Sequence, residues 1–360
     1  MAFLIKVSGA GIIVGLSRTI HPLGILSDSL GGNMRAYIAR RILGMLPTLA
    51  LISVIIFIVI QLPPGDIVTS TLDRLQAEGV EVSNEQIQNL RAQYNLDQPV
   101  ALQYLHWISG FVVGDMGYSY LYSRPVNELV WERLGYTLLI TVSALLFTWA
   151  IAIPAGIYSA VRQYSIGDYL LTAVMLFGLA TPSFLLALIV MYLGYEWFGI
   201  TIGGLFSPEY RDVPWSLERL SDFLSHLWIP MVVVGLSGTA STMRILRANL
   251  LDELNKPYVV TARAKGVRPL KLLIKYPLRI AINPFISTIG LLLPVLISGE
   301  AIVSIVLGLP TTGPALIQAL INQDMYLAGS FLMLLAILTV IGMLLSDLLL
   351  AWSDPRIRYE

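Results

Sequence analysis

Long apolar stretches alternate with short polar ones along this chain. Six stretches free of Asp, Glu, Lys and Arg are long enough to cross a bilayer, which takes about 20 apolar residues. They are Ile42–Gly65, Leu134–Val161, Tyr169–Tyr195, Phe223–Met243, Ile280–Gly299 and Met325–Ser346. The fifth continues past Glu300 to Leu309, and the sixth past Asp347 to Trp352. Lipid offers no partner to an open peptide group, so each run is predicted to be an α-helix. The pattern thus reads as an all-α polytopic membrane protein with six transmembrane helices. Pro154, Pro182, Pro230, Pro284 and Pro294 fall inside the runs. They predict kinks, whose freed carbonyls neighbouring helices can satisfy. Ordinary packing kinks and a gating role both fit.

The segment between the first two runs is too long for a bare loop. Asn84–Tyr94 places Ile87, Leu90 and Tyr94 at helical spacing, with Ser83 as N-cap. Val100–Val113 predicts a second, largely apolar helix lying along the membrane surface. Gly114-Asp-Met-Gly-Tyr-Ser119 is punctuated by glycine and reads as a turn. Pro125 then suits the first turn of a helix that feeds the second run. A structural cap and a docking rim for a soluble carrier are both open readings of this segment.

Composition agrees with the pattern: 56% of residues are hydrophobic, 13% are charged, and mean hydropathy is +0.73. Soluble domains carry about 25% charged residues. The net charge is zero, yet the charges are sorted by side. Arg35, Arg40, Arg41, Arg162, Arg356 and Arg358 fall on the same side as a loop holding Arg244, Arg247, Lys256, Arg263, Lys265, Arg268, Lys271, Lys275 and Arg279. Basic loops stay in the cytoplasm, so both termini are expected there. The opposite side includes the acid-rich segment 63–133 together with 199–222 and 310–324. There is no cysteine, which excludes disulfides and thiolate chemistry. His21, His106 and His226 lack metal-ligand spacing. Neither a metal, a cofactor nor a nucleic-acid partner is expected for this chain.

The basic loop between the fourth and fifth runs carries the sharpest local signal. Thr261–Lys265 reads as a short helix, and Gly266 can take the left-handed conformation that ends it. Pro269 suits the first turn of a second short helix, which Pro277 stops. A stiff two-helix hook on the cytoplasmic face implies that something docks there. Attraction to anionic lipid headgroups also accounts for part of its positive charge.

Thr261-Ala-Arg-Ala-Lys-Gly266 resembles the cytoplasmic coupling loop of ABC importer permeases, in the version of the dipeptide/oligopeptide permease family. The resemblance extends over nearly all of the chain after Met34. It takes in Leu62-Pro-Pro-Gly-Asp66, Tyr94-Asn-Leu-Asp-Gln-Pro99, Gln103-Tyr104, Gly114-Asp-Met-Gly-Tyr-Ser119, Pro125-Val126, Arg133-Leu134, Ala180-Thr-Pro-Ser-Phe184, Asp347 and Ser353-Asp-Pro-Arg-Ile-Arg358, in family order. Two positions depart from it. The general Glu-Ala-Ala of the coupling loop is Val260-Thr261-Ala262 here, and a late glutamate of the fifth helix corresponds to Ser304, with Glu300 one turn earlier on the same face.

The resemblance implies a type I ABC importer permease fold. It also implies one of two non-identical permease subunits, served by two cytoplasmic ATPases and a periplasmic or lipid-anchored solute-binding protein. ATP and Mg would sit on the ATPases. No lysine of this chain follows a glycine, so it has no phosphate-cradling P-loop of its own. The chain is therefore expected not to be an enzyme but the permease of an ATP-hydrolysing complex in the inner membrane. Segment 34–133 would be the first helix plus the periplasmic part, and 134–360 a five-helix core with its coupling loop at about 248–279. Coupling to the ATPase would fall on Tyr258, Thr261, Ala262, Arg263, Lys265, Gly266 and Val267. The translocation path is expected near Glu300, Ser304, Ser298, Ser237, Ser241 and Thr181, and binding-protein docking near Asp115, Gly117 and Tyr118. Small peptides are the default cargo; oligosaccharides or a nickel complex are the alternatives within the family. A proton-coupled secondary carrier is the rival of another class. It would use Glu300 and Asp347, because acids within a membrane are functional candidates by default. Residues 1–33 precede the family-like start and read as a surface helix or as an upstream start.

Overall fold

The structure of the chain, a computed structural model, describes residues 34–353 apart from 64, 78, 80–82, 94, 95, 120, 200, 201, 212 and 286–300. The extension 1–33 and the candidates Ser298 and Glu300 lie outside the described residues.

The fold is built from helices. In chain order, α1 (Met34–Gln61) leads into α2 (Ile67–Ala77), α3 (Asn84–Gln93) and α4 (Val100–Val113). A two-residue hairpin pairs Tyr118–Ser119 with Arg124–Pro125. Then come α5 (Val126–Val161), α6 (Ile166–Ala180), α7 (Ser183–Phe198) and α8 (Leu217–Leu254). Three short helices follow: α9 (Pro257–Ala264), α10 (Pro269–Lys275) and α11 (Pro277–Ala281). Residues 301–306 are helical, and α12 (Thr312–Ile321) and α13 (Met325–Ser353) close the described chain.

Four of these helices, α1, α5, α8 and α13, are long and apolar enough to cross a membrane. The third apolar run departs from expectation. It forms two helices, α6 and α7, bent by 100° at Thr181–Pro182. A residue before proline is driven out of the helical region, and Thr181 is extended (φ −94°, ψ 119°). Pro182 then caps α7. The pair is a broken span or a re-entrant loop. Most of the fifth run falls on 286–300, so the described residues hold four spans, or five with the bent pair.

The centre of the fold is the packing of α5 on α8. Every fourth residue of α5 along this contact is small and buried: Ala144, Thr148, Ala152, Gly156 and Ala160. Small residues let two helices approach closely where lipid supplies no hydrophobic drive. The approach allows Thr148 Oγ1 to donate to the carbonyl of Gly235 on α8 at 2.8 Å. A second core joins α1, α4 and α13 through Ile56, Phe57, Trp107, Met325 and Met333.

The outer segment largely follows the pattern. Ser83 caps α3 reciprocally: its Oγ accepts from Gln86 N at 3.3 Å, and Gln86 Oε1 accepts from Ser83 N at 3.1 Å. On α4, Gln103 and Trp107 are buried while Leu102, Leu105, Val112 and Val113 are exposed, a face suited to lipid. Pro125 sits one residue earlier than expected, at the N-cap of α5, and the helix runs unbroken from the outer segment to Val161.

Candidate functional site

The hook is rooted in α8, a single helix of 38 residues. Asn255 ends α8 while still in the helical region, Lys256 turns the chain to extended backbone, and Pro257 opens α9 at its first turn. The hook helix therefore starts four residues before the predicted Thr261. It ends as the sequence suggested. Val267 N donates to Ala262 O at 3.3 Å and Gly266 N donates to Arg263 O at 3.0 Å, with Gly266 at φ 76°. These are the two bonds of a Schellman turn with glycine at its left-handed position. Among the described residues, and leaving aside its chain neighbours, no atom lies within 4 Å of where a Gly266 Cβ would stand. Backbone conformation, and not space, is what demands glycine there. Pro277 ends α10 as expected, but it also starts α11, because a missing N–H costs nothing in a first turn.

Two faces of the hook do different work. Val259, Ala262 and Leu272 are buried, and Val267 and Tyr276 pack on them. This small core holds α9 against α10. Ala262 is thus buried inside the hook and Val267 packs partly against it, whereas the other coupling candidates stand at its surface. Tyr258, Thr261, Arg263, Lys265 and Gly266 are exposed. Tyr258 donates its hydroxyl to Glu253 at the end of α8. Partial burial and that bond to a negative charge push the phenol above its ordinary range. Val260, Leu270 and Ile274 are exposed apolar side chains on the same hook. The sequence reading passed over them, although Leu270 and Ile274 at i and i+4 give an apolar helix face.

The root of the hook is apolar. Leu246 and Leu250 of α8 are fully buried against Ala160 of α5, Ala281 of α11 and Phe285. Beside them Arg247 Nη2 meets Asp168 Oδ2, in the first turn of α6, at 2.9 Å. Sequence reading missed this pair. Ser165-Ile-Gly-Asp168 does show a capping pattern before an apolar run, and Ser165 Oγ accepts from Asp168 N at 3.2 Å. Nothing in the sequence links Asp168 to an arginine 79 positions away.

The path candidates separate. Ser304 is completely buried. Ser237 and Ser241 are half-buried on α8 and donate to Val234 O (3.1 Å) and Gly238 O (3.0 Å) of their own helix. Thr181 donates to Phe177 O at 2.9 Å, at the bend between α6 and α7. Asp347, one of the two acids a proton carrier would use, lies 3.3 Å from Arg41 across α1 and α13.

Near the hairpin between α4 and α5, Asp115 and Tyr118 are exposed. Gly117 (φ 81°) leaves no room for a side chain: a Cβ there would stand 2.9 Å from the ring of Tyr326. The neighbouring Ser119, fully buried, donates to Asp324 Oδ2 at 2.6 Å. Asp324 also caps α13, its Oδ1 accepting from Leu327 N at 3.2 Å. Burial pushes the Asp324 carboxyl up, against hydrogen bonds from Ser119 and the backbone of Leu327 and Leu121. The sequence reading picked the exposed neighbours of this joint and missed its buried members.

Comparison with known proteins agrees with this arrangement. Residues 34–141 match the N-terminal family of binding-protein-dependent transport system membrane components. An oligopeptide transport system permease protein, AppB of Bacillus subtilis (strain 168), is 33% identical over 332 residues, covering 91% of this chain and all of that protein. A glutathione transport system permease protein, GsiC of Escherichia coli O6:H1, is 30% identical over 327 residues, with the same coverage. An inward-facing structure of the MetNI methionine ABC transporter aligns with a TM-score of 0.48 at 17% identity, over 64% of this chain and 98% of its own, too distant to add to the assignment. Residues 152–359, which include α8, the hook and α13, match the inner membrane component of binding-protein-dependent transport systems; the chain belongs to this family, the permease subunits of ABC importers.

Proposed function

We propose that this chain forms half of the translocation pathway of an ATP-driven importer of small peptides. The observation that carries the reading is the hook: a stiff, exposed, basic two-helix element fixed at the end of one rigid helix that runs back through the fold. In this reading each of two cytoplasmic ATPases receives one hook in a surface groove, with Tyr258, Thr261, Arg263 and Lys265 at the contact. ATP and Mg are bound by those partners, and this chain hydrolyses nothing. Closure of the ATPases draws the hooks together. Because the hook is continuous with α8, α8 tilts with it, and the pathway turns from inward-open to outward-open by rigid-body rocking.

A second, homologous permease completes the pathway, and a solute-binding protein docks on the outer face near Asp115, Gly117 and Tyr118. The chain would cross the cytoplasmic membrane six times, with both termini inside. Glu300 and Ser298 are kept as path candidates. Ser237, Ser241 and Thr181 are kept too, because half-buried hydroxyls bonded to their own backbone retain a free lone pair. Peptide is favoured as cargo because the relatives named above are described as oligopeptide and glutathione permeases.

The test is uptake into liposomes holding this chain, the partner permease and both ATPases, with the binding protein outside. Peptide uptake that requires ATP is expected. ATP-driven uptake of an oligosaccharide or a nickel chelate instead would replace the substrate. Uptake driven by a proton gradient without ATP would overturn the importer reading.

A further inference from the structure

We propose that the ion pair between buried Asp168 and half-buried Arg247 is the joint through which displacement of the hook reaches the bent α6–α7 pair. The inference rests on the importer reading above. Arg247 lies two turns before the end of α8 at Leu254, next to the root of the hook. Asp168 sits in the first turn of α6, with only 3% of its side chain exposed. Its Oδ2 accepts from Arg247 Nη2 and from the Tyr164 backbone N–H, both at 2.9 Å. Ser159, fully buried on α5, faces the same carboxylate.

Beyond this pair α6 is held by apolar contact. Leu171 and Met175 pack on Met243, Ala152 and Ala155, while Tyr169, Leu170, Val174, Leu176 and Phe177 are exposed. Apolar contact alone lets one helix slide on another. Among the described residues, Asp168–Arg247 is the only polar side-chain contact between α6 and α8. A pair with one buried partner is a poor source of net stability, since desolvation offsets its attraction; it is a good source of position. The pair is also single-pronged: Arg247 engages through Nη2, and its buried Nε has no hydrogen-bond partner among the described residues. Such a contact holds distance while permitting swivel, unlike a two-pronged guanidinium–carboxylate fork. When α8 tilts, α6 must follow at its cytoplasmic end. The bend at Thr181–Pro182, 100° wide, then carries α7 with it. Asp168 and Arg247 are positioning residues; neither is assigned a contact with cargo.

The experiment compares Asp168→Asn, Arg247→Met and Arg247→Lys in the liposome complex, reading assembly, ATP hydrolysis and peptide taken up per ATP. Asp168→Asn and Arg247→Met should assemble and hydrolyse ATP, with uptake per ATP reduced about tenfold. Arg247→Lys should keep most of the coupling, because one donor suffices for a single-pronged pair. Unchanged uptake per ATP in Arg247→Met overturns the joint. So does a defect in Arg247→Lys as deep as in Arg247→Met, or a parallel fall of hydrolysis and uptake. Loss of assembly in the two uncharged variants, with Arg247→Lys intact, would make the pair a structural clamp and overturn it equally. Absence of ATP-driven uptake by the unaltered complex would sink the importer reading and the joint together; coupled uptake by the unaltered complex and all three variants would sink the joint alone.

Discussion

The hook, proposed to face the cytoplasm, and the cap, proposed to face outward, are both compact elements built around a left-handed glycine, yet they are held together in opposite ways. The hook closes on itself. Its core residues, Val259, Ala262, Val267, Leu272 and Tyr276, are neighbours in sequence, and its Schellman turn spans only Ala262 to Val267. The outer cap is sewn from distant parts of the chain. Ser119 reaches Asp324 across 205 positions, Thr137 reaches Thr312 across 175, and Ser70 reaches Asn322 O across 252. A local element can be displaced as one body without losing its shape. An element made of long-range contacts cannot move without giving up the contacts that define it. That difference suits the hook to transmit motion and the cap to hold a fixed rim.

The comparison breaks most sharply if the two elements lie on the same side of the membrane. The chain has no cysteine, so single cysteines report cleanly. Gln88→Cys and Lys271→Cys both fall at exposed positions. An impermeant thiol reagent added outside should label the first and leave the second unlabelled; the reverse would invert the topology.

Next in size is the hook glycine. A β-branched side chain in the left-handed region costs about 1–3 kcal/mol. Gly266→Val should therefore deform the turn and remove most ATP-driven uptake, by about tenfold, with the protein still inserted in the membrane. Asn tolerates this conformation, so Gly266→Asn should transport close to the unaltered level. Equal transport by both variants would mean that the turn's geometry does not matter.

At the cap, Gly117→Val meets the ring of Tyr326 as well as an unfavourable φ. Overpacking adds about 1–3 kcal/mol to the backbone strain. The loss should show as a lower thermal midpoint of the purified protein, whereas Gly266→Val, which carries the backbone strain without the clash, should lower the midpoint less. Matching midpoints would erase the distinction between a sewn cap and a free-standing hook.

The smallest expected effect is in pH. Burial raises the Asp324 carboxyl above its ordinary value of 3.8, so the folded state holds this proton more tightly than the unfolded one. The contribution is fully present below the ordinary value and is lost as pH rises through the folded one. The slope there is at most about 1.4 kcal/mol per pH unit. Asp324→Asn should flatten that slope in a melting series against pH. A carboxylate held below 3.8 would give a slope of the opposite sign.

Much of this was legible in advance because membrane helices announce themselves by composition. Val100–Val113 was placed to the residue, and Gly266 was identified as the end of the hook helix, since only glycine and a few polar residues take that backbone readily. The break at Thr181–Pro182 was read as a kink within one span, because a proline reveals that a helix is disturbed and not by how much. That Ala262 is buried among Val259 and Leu272 was not legible, since which small residue turns inward depends on how α9 and α10 pack. Asp168, Arg247, Ser119 and Asp324 went unpaired, since their partners are set by how helices cross.

By itself the sequence determined the class of protein, the positions of most helices, the sidedness expected from its arginines and lysines, and the existence of a hook. Each depends on interactions within a few residues or between a segment and its solvent, lipid or water, so each is written locally. Only the tertiary structure decided which face of the hook is free, which serine is buried, where the third run bends by 100°, and which buried acid meets which arginine. Those depend on distances between residues far apart in the chain, and such distances are fixed only when the helices have packed.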